Sequence, residues 1–235
     1  MLADYKRIVK GALLRPLISV IPKSKGIISV TFHNIEPVHY EWFEQVIELI
    51  DMKYGFVNPH DLLSGLCNSE ESDEIKVLLT FDDGFYSNRV VAEKYLSRYS
   101  AKAIFFIAEG FVGLNLRDSI EYAKENIFPD SGVDEKNKEL YQAMSWSDVA
   151  WLKERGHVIG AHTVTHCMLS KLATESARQD EIVGSADRIS EITNQAITSF
   201  AFPFGHPSAI DRESFDLEKD IQSLVENNLQ LPRFC

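Results

Sequence analysis

The chain has 235 residues, 45% of them hydrophobic and 25% charged, a composition that suits one folded domain with a packed core and excludes wholesale disorder. Its formal net charge of −11 lacks the basic excess that nucleic acid or anionic lipid demands, so no nucleic-acid partner is expected. Cys67, Cys167 and Cys235 are odd in number and irregularly spaced, which fits free thiols in a reducing compartment rather than a disulfide framework or a Cys-x-x-Cys metal knuckle.

In the opening run MLADYKRIVKGALLRPLISVIP, Asp4, Arg15 and Pro16 interrupt the apolar stretch. Neither a membrane-spanning helix, which needs about 20 apolar residues, nor a cleavable signal peptide is expected. Lys6, Arg7, Lys10 and Arg15 alternate with Leu13, Leu14, Leu17 and Ile18. Residues 1–25 therefore read as an N-terminal helical segment, suited to peripheral contact with a membrane or to packing on its own domain. The location expected is cytoplasmic or membrane-peripheral, and residues 26–235 form the second unit, one catalytic domain.

After Gly26 the run IISVTFHNI is short, apolar and β-branched, which predicts a buried strand ending at His33. Phe43, Val46, Ile47, Leu49 and Ile50 recur at helical spacing between Trp42 and Met52. The acidic loop NSEESDE (68–74) precedes a second strand, IKVLLTF, that stops at Asp82-Asp83-Gly84. A helix through VVAEKYLSRY and a third strand, AKAIFFIA, follow. This alternation points to parallel strands with crossover helices.

Residues 113–140 are polar and partly helical, most simply an insertion or a lid. Ser145 caps a helix that Gly156 ends before the strand HVIGAH. A helix over roughly 171–192 and a last apolar strand, ITSFAFPFG, complete the pattern. His33, Asp82, Asp83, His162 and the Phe204 region all fall just beyond the C-terminal ends of predicted strands, the edge on which parallel α/β folds build their sites.

His162 and His166 are four residues apart, and on a helical turn that spacing would put both imidazoles on one face to bind one cation. Asp83 can add a carboxylate oxygen from the neighbouring strand end. A set of two His and one carboxylate suits Zn²⁺ and tolerates Co²⁺, Ni²⁺ or Fe²⁺. Asp82 is left for proton chemistry beside a cation that would activate water and polarise a carbonyl. His39 and His60 read as solvated loop residues, His157 as structural, and Trp42, Trp146 and Trp151 as core residues on helical faces.

The stretches LLTFDDGF, AKAIFFIA, MSWSDVAWLKERGHVIGAHTVTHCMLSKL and FAFPFG occur in this order, and over roughly residues 27–207 the chain resembles polysaccharide deacetylases of the NodB-homology type (carbohydrate esterase family 4-like). The resemblance implies an α/β fold, a distorted barrel of β/α units. It also implies Asp82 as general base, Asp83, His162 and His166 as ligands of a divalent metal, and the backbone N–H of Phe204 as oxyanion donor. The substrate implied is an N-acetylated glycan of an exopolysaccharide or lipopolysaccharide, or its lipid-linked precursor. Another acyl group on a carbohydrate (O-acetyl or formyl) and an inert glycan-binding relative are the rival readings. The oligomeric state stays open.

The chain departs from the pattern in three places. Ala201 stands where the commonest version has an Arg that orients the base. No His follows His206, so the late His that serves as general acid has no counterpart. His33, in VTFHNI, matches a Phe-His element of some exopolysaccharide deacetylases and is the preferred acid; His206 is the other candidate, in a GHPS stretch that reads as a turn. Only about thirty residues follow Gly205, which predicts a barrel that is incomplete or open at its seam.

Overall fold

The computed structural model describes residues 26–66, 74–134 and 136–222; the N-terminal segment, most of the acidic loop, Cys67 and Cys235 lie outside them. Four parallel strands, β1 (Gly26–Phe32), β2 (Ile75–Phe81), β3 (Ala103–Ile107) and β4 (Val158–Ala161), lie side by side in chain order. The fold is α/β, and among the described residues the sheet is an open arc of a distorted barrel. β3 and β4 are buried at every position and β2 at its last five, as expected of strands covered on both faces.

Register decides what stands at the sheet's edge. Phe32 pairs with Phe81, and Phe81 with Phe105. Their rings stack across the three strands at centroid distances of 5.4 and 4.8 Å. The residues that follow Phe32 and Phe81, His33 and Asp82, are therefore level with each other at the C-terminal edge. The Asp82 N–H donates to the Phe32 carbonyl at 2.9 Å and continues the ladder.

Helix α1 (Tyr40–Lys53) buries Phe43, Val46, Ile47, Leu49 and Ile50, the positions expected from their spacing. After the short α2 (Pro59–Leu63), α3 (Tyr86–Lys94) follows β2 directly. Helix α4 (Leu116–Tyr122) continues into a π turn, Ala123–Ile127, and α5 (Trp146–Glu154) opens on a capping box in which Ser145 and Asp148 satisfy each other's backbone N–H groups. Trp146 and Trp151 pack against the core, whereas Trp42 is 39% exposed, contrary to expectation.

Two predicted elements are altered. The helix expected over 171–192 starts only at Glu175, behind Thr174 as its cap, and consists of α6 (Glu175–Gln179), a π turn (Asp180–Gly184) and α7 (Ser185–Thr193). The strand expected in ITSFAFPFG shrinks to a single parallel bridge between Ala161 and Phe200. Pro203 offers no N–H, and Phe204 and Gly205 both have positive φ, so the backbone leaves the ladder after Ala201. α8 (Arg212–Gln222) closes the described chain. No helix among the described residues is long and apolar enough to cross a membrane.

His157 enters the core at the start of β4, where its Nδ1 accepts the Ala103 N–H at 3.2 Å and its ring meets the edge of Phe105. Burial, with Lys102 nearby, pushes its pKa down to about 4. The folded chain thus keeps His157 neutral where the unfolded chain, with a value near 6.5, takes up a proton. This contribution to stability is complete above pH 6.5 and is lost as pH falls toward 4, by about 3 kcal/mol in all. His157→Asn keeps an acceptor for Ala103 but cannot titrate. In urea denaturation the stability gap between wild type and variant should narrow by that amount from pH 7 to pH 4; a constant gap would refute the assignment.

Candidate active site

β2 ends by turning sharply inward. Asp83 has φ +77° and Gly84 φ +101°, a left-handed pair that a non-glycine residue enters only under compulsion. A side chain at 84 would meet Val112 Cγ2 at 2.8 Å, so glycine is required there on space as well as on conformation. The turn is pinned on both sides, since the Ala108 N–H donates to the Asp83 carbonyl and the Met144 N–H to the Gly84 carbonyl. Asp83 is thereby driven beneath the sheet edge, 0% exposed, and Asp82 is left beside it at 6%.

His162 and His166 come to the same place, though not on a helix. His162 follows β4, and its N–H donates to the Ile107 carbonyl. From there the chain makes a loop with φ +64° at Thr163 and +55° at His166. The expected helical turn is replaced because the loop's donors are taken by a side chain instead of by its own carbonyls. The Glu181 carboxylate accepts the N–H groups of Val164 and Thr165, each at 2.9 Å, and the Thr165 hydroxyl at 2.8 Å. Two non-glycine residues in left-handed backbone cost about 1–3 kcal/mol each, and hydrogen bonds to an ionised group, worth about 1.5–3 kcal/mol apiece, offset that cost.

The orientation of both rings is fixed by carbonyls. His162 Nδ1 donates to the Ala201 carbonyl at 2.8 Å, and His166 Nδ1 to the Asn126 carbonyl at 3.0 Å. A carbonyl can only accept, so in each ring the proton sits on Nδ1 and a neutral ring presents its Nε2 lone pair. Those two Nε2 atoms face Asp83 Oδ1 at 3.5 and 3.2 Å. Neither oxygen of the Asp83 carboxylate has a hydrogen-bond partner among the described residues. Burial by itself would raise the Asp83 carboxyl; the facing imidazoles outweigh it and hold the group far below the usual carboxylate range. Burial likewise works against charge on His166, and Asp83 outweighs it, raising His166 above its ordinary value.

The cluster is therefore built for positive charge. Three lone-pair-bearing atoms from Asp83, His162 and His166 lie within 4.8 Å of one another, all buried. An orphaned buried carboxylate and two imidazoles pinned in the ligand tautomer fit a divalent metal of the borderline type. It is the one such cluster found among the described residues.

The other expected site residues fall around it. His33 has a side chain 53% exposed, with Nε2 4.0 Å from Asp82 Oδ2. Its loop is tied down by Asn88, whose Nδ2 donates to the His33 carbonyl, and by the Asn34 to Ser87 bond. Phe204 stands with its ring 4.7 Å from that of His166, in a left-handed turn with φ +64°. His206 is turned away into local structure, its Nδ1 engaged by the Ser208 hydroxyl and N–H. His39 and His60 are exposed.

Three contributors escaped the sequence reading. Residues 113–140 are more than a lid. Tyr122 donates its hydroxyl to the Val164 carbonyl at 2.7 Å, and Asn126 provides the carbonyl that fixes His166. That carbonyl is free because it lies in the last turn of its helix, where no later N–H claims it. Glu181 is the third. A backbone carbonyl leaves no trace in residue type, and a Glu on an amphipathic helix looks like any solvated charge.

A profile of the family described as "Polysaccharide deacetylase" matches residues 69–221, well over half of the chain. The chain belongs to the polysaccharide deacetylase family. YxkH of Bacillus subtilis (strain 168), whose name places it provisionally among polysaccharide deacetylases, is 26% identical over 167 residues, or 71% of this chain and 48% of its own length. The chain thus spans about half the length of that curated relative. The Streptococcus pyogenes deacetylase PplD, solved in complex with acetate, superposes with a TM-score of 0.58 at 20% identity over 86% of this chain and 82% of its own. IcaB from Ammonifex degensii gives 0.61 at 18% identity over 84% and 81%. At these identities the structural likeness establishes the deacetylase fold, and the chemistry rests on this chain's own residues.

In this member of the family the loops after β3 and β4 touch at Gly110, whose N–H donates to the Val164 carbonyl. A Cβ there would lie 2.8 Å from that oxygen. Gly110→Ala should cost about 1–3 kcal/mol in urea denaturation, the usual penalty for overpacking. Wild-type stability in that variant would contradict the close approach.

Proposed function

We propose that this chain is a metal-dependent carbohydrate deacetylase, a hydrolase of carbon–nitrogen bonds other than peptide bonds. It removes the N-acetyl group of an amino sugar in an exopolysaccharide or lipopolysaccharide, or in a glycolipid precursor of one. The observation that carries the reading is the meeting of Asp83 with two imidazoles whose Nδ1 protons are committed to carbonyls, with Asp82 alongside.

Asp83, His162 and His166 would hold the metal, most simply Zn²⁺, with Co²⁺, Ni²⁺ or Fe²⁺ as substitutes. When bound, the cation lowers the pKa of water toward neutrality and polarises the acyl oxygen. Asp82 accepts the proton of the attacking water. Its Oδ1 has no other hydrogen-bond partner among the described residues, which leaves it free for that task. The N–H of Phe204, in the left-handed turn beside His166, donates to the oxyanion. His33 delivers a proton to the departing nitrogen, for which its exposure and its 4.0 Å approach to Asp82 equip it.

That last feature favours an amide over an ester. An amine leaves only once protonated, whereas an alkoxide depends less on an acid, and a half-exposed imidazole facing the base meets the stricter need. PplD, solved with acetate, supports the choice of acyl group. The net charge of −11 is in keeping with a neutral or cationic glycan. A peripheral membrane contact, and with it a cytoplasmic or membrane-peripheral location, would belong to residues 1–25.

Purified protein should contain a divalent metal and release acetate from an N-acetylglucosamine oligomer, with activity lost to a chelator and restored by Zn²⁺ or Co²⁺. Bound metal without acetate would shift the reading to an O-acetyl or formyl group, and a chain that takes up no metal would favour an inert glycan-binding relative. Asp82→Asn should lower kcat by about 10²–10⁴-fold with metal content unchanged. His33→Ala should lower kcat for the amide more than for an acetyl ester of the same sugar. Equal losses on both substrates would remove His33 from the role of acid.

A further inference from the structure

We propose that Glu181 is a positioning residue for the metal site, acting on His166 through the loop between the two histidine ligands. This rests on the metal-dependent reading above and assigns a task within it that no residue of the ligand set can perform.

The loop His162–His166 cannot hold its shape by itself. Its two left-handed residues are both non-glycine, and one of them, Thr163, is β-branched, the type least suited to that backbone. The peptide units between them are clamped from both sides. On the acceptor side, the Val164 carbonyl takes the Tyr122 hydroxyl at 2.7 Å and the Gly110 N–H at 3.0 Å, and the Thr163 carbonyl takes the Glu109 N–H at 3.0 Å. On the donor side a single residue serves. Glu181 accepts the Val164 and Thr165 N–H groups on Oε2 and the Thr165 hydroxyl on Oε1. Both carboxylate oxygens are used, and the residue is 9% exposed.

The geometry of His166 follows from that clamp. Its ring must satisfy two partners on opposite nitrogens, the Asn126 carbonyl at Nδ1 and Asp83 Oδ1 at Nε2. Both distances depend on where the Thr165–His166 peptide is placed. Glu181 belongs to the π turn between α6 and α7. A wide turn of this kind changes which side chains of a helix face inward, and here it accompanies a buried glutamate aimed at the loop. The carboxylate's hydrogen bonds go to the loop's N–H and hydroxyl groups, and it is not among the three clustered ligand residues, so its influence passes through backbone position and not through coordination.

Glu181→Gln separates positioning from bulk stability. Glutamine has the same volume and one acceptor oxygen, but it sets an NH₂ group where an acceptor is required. The variant should remain folded, with an unchanged far-ultraviolet circular dichroism spectrum. Its Zn²⁺ affinity, measured by competition with a chelating dye, should fall about 10–100-fold, the usual effect of removing a partner that orients a ligand. The visible absorption of the Co²⁺-loaded protein should shift, and kcat should fall while KM for the oligomer holds. Thr165→Val removes only the hydroxyl donor to Oε1 and covers the case in which the glutamine variant does not fold; it should lose affinity severalfold in the same assay. Unchanged Zn²⁺ affinity and Co²⁺ spectrum in the variant that folds, against a wild type that binds both metals, would overturn the proposal. A wild type that binds metal but releases no acetate would overturn the deacetylase reading alone, and the affinity comparison would still decide the role of Glu181.

Discussion

The Asp83 carboxylate is buried to 0% exposure without a hydrogen bond to either oxygen among the described residues, and the surrounding structure is organised around that charge. An uncompensated ion in such a place costs several kcal/mol even after relaxation. The fold sets the Nε2 atoms of two imidazoles 3.5 and 3.2 Å from it, so that positive charge held between the three groups, as a cation or as a proton on those nitrogens, offsets the cost. The turn that drives Asp83 inward, the crossing of the loops after β3 and β4, and the carbonyls of Asn126 and Ala201 all serve this one requirement.

The supporting shell is made mostly of backbone. Ala201 fixes His162 through a carbonyl that the single Ala161–Phe200 bridge places there, and Asn126 fixes His166 through a carbonyl at a helix end. The shortening of the expected last strand thus has a structural use, because a chain that kept to the ladder would spend the Ala201 carbonyl on a strand partner. Backbone acceptors cannot change protonation state and move only with the chain. They make rigid partners for imidazoles whose task is to stay neutral on one nitrogen and available on the other.

The pair beside the cluster is arranged differently. Asp82 and His33 are neighbours through sheet register, level with each other because Phe32 and Phe81 pair. Asp82 is buried and His33 is half exposed, so one lies beside the cluster and the other faces solvent. The ladder bond from the Asp82 N–H to the Phe32 carbonyl fixes the backbone of Asp82.

Much of this was legible along the chain. The β/α alternation, the strand ends to within one residue of Phe32, Phe81 and Ala161, the Ser145 cap and the convergence of Asp83 with His162 and His166 follow from short-range signals, namely periodicity, punctuation by glycine and proline, and residue chemistry at strand ends. What the linear order could not show depends on atoms without sequence identity or on contacts across long separations. The loop between the histidines is not a helix because Glu181, sixteen residues beyond Thr165, takes its donors. The stretch 113–140 reads as a polar insertion because its contributions to the site are a carbonyl and a phenol hydroxyl. Sequence by itself determined which side chains could bind a cation and on which edge they would stand. Only the tertiary structure decided their tautomers, their burial and the backbone that holds them, because those are set by hydrogen bonds between segments that pack together only once the sheet has formed.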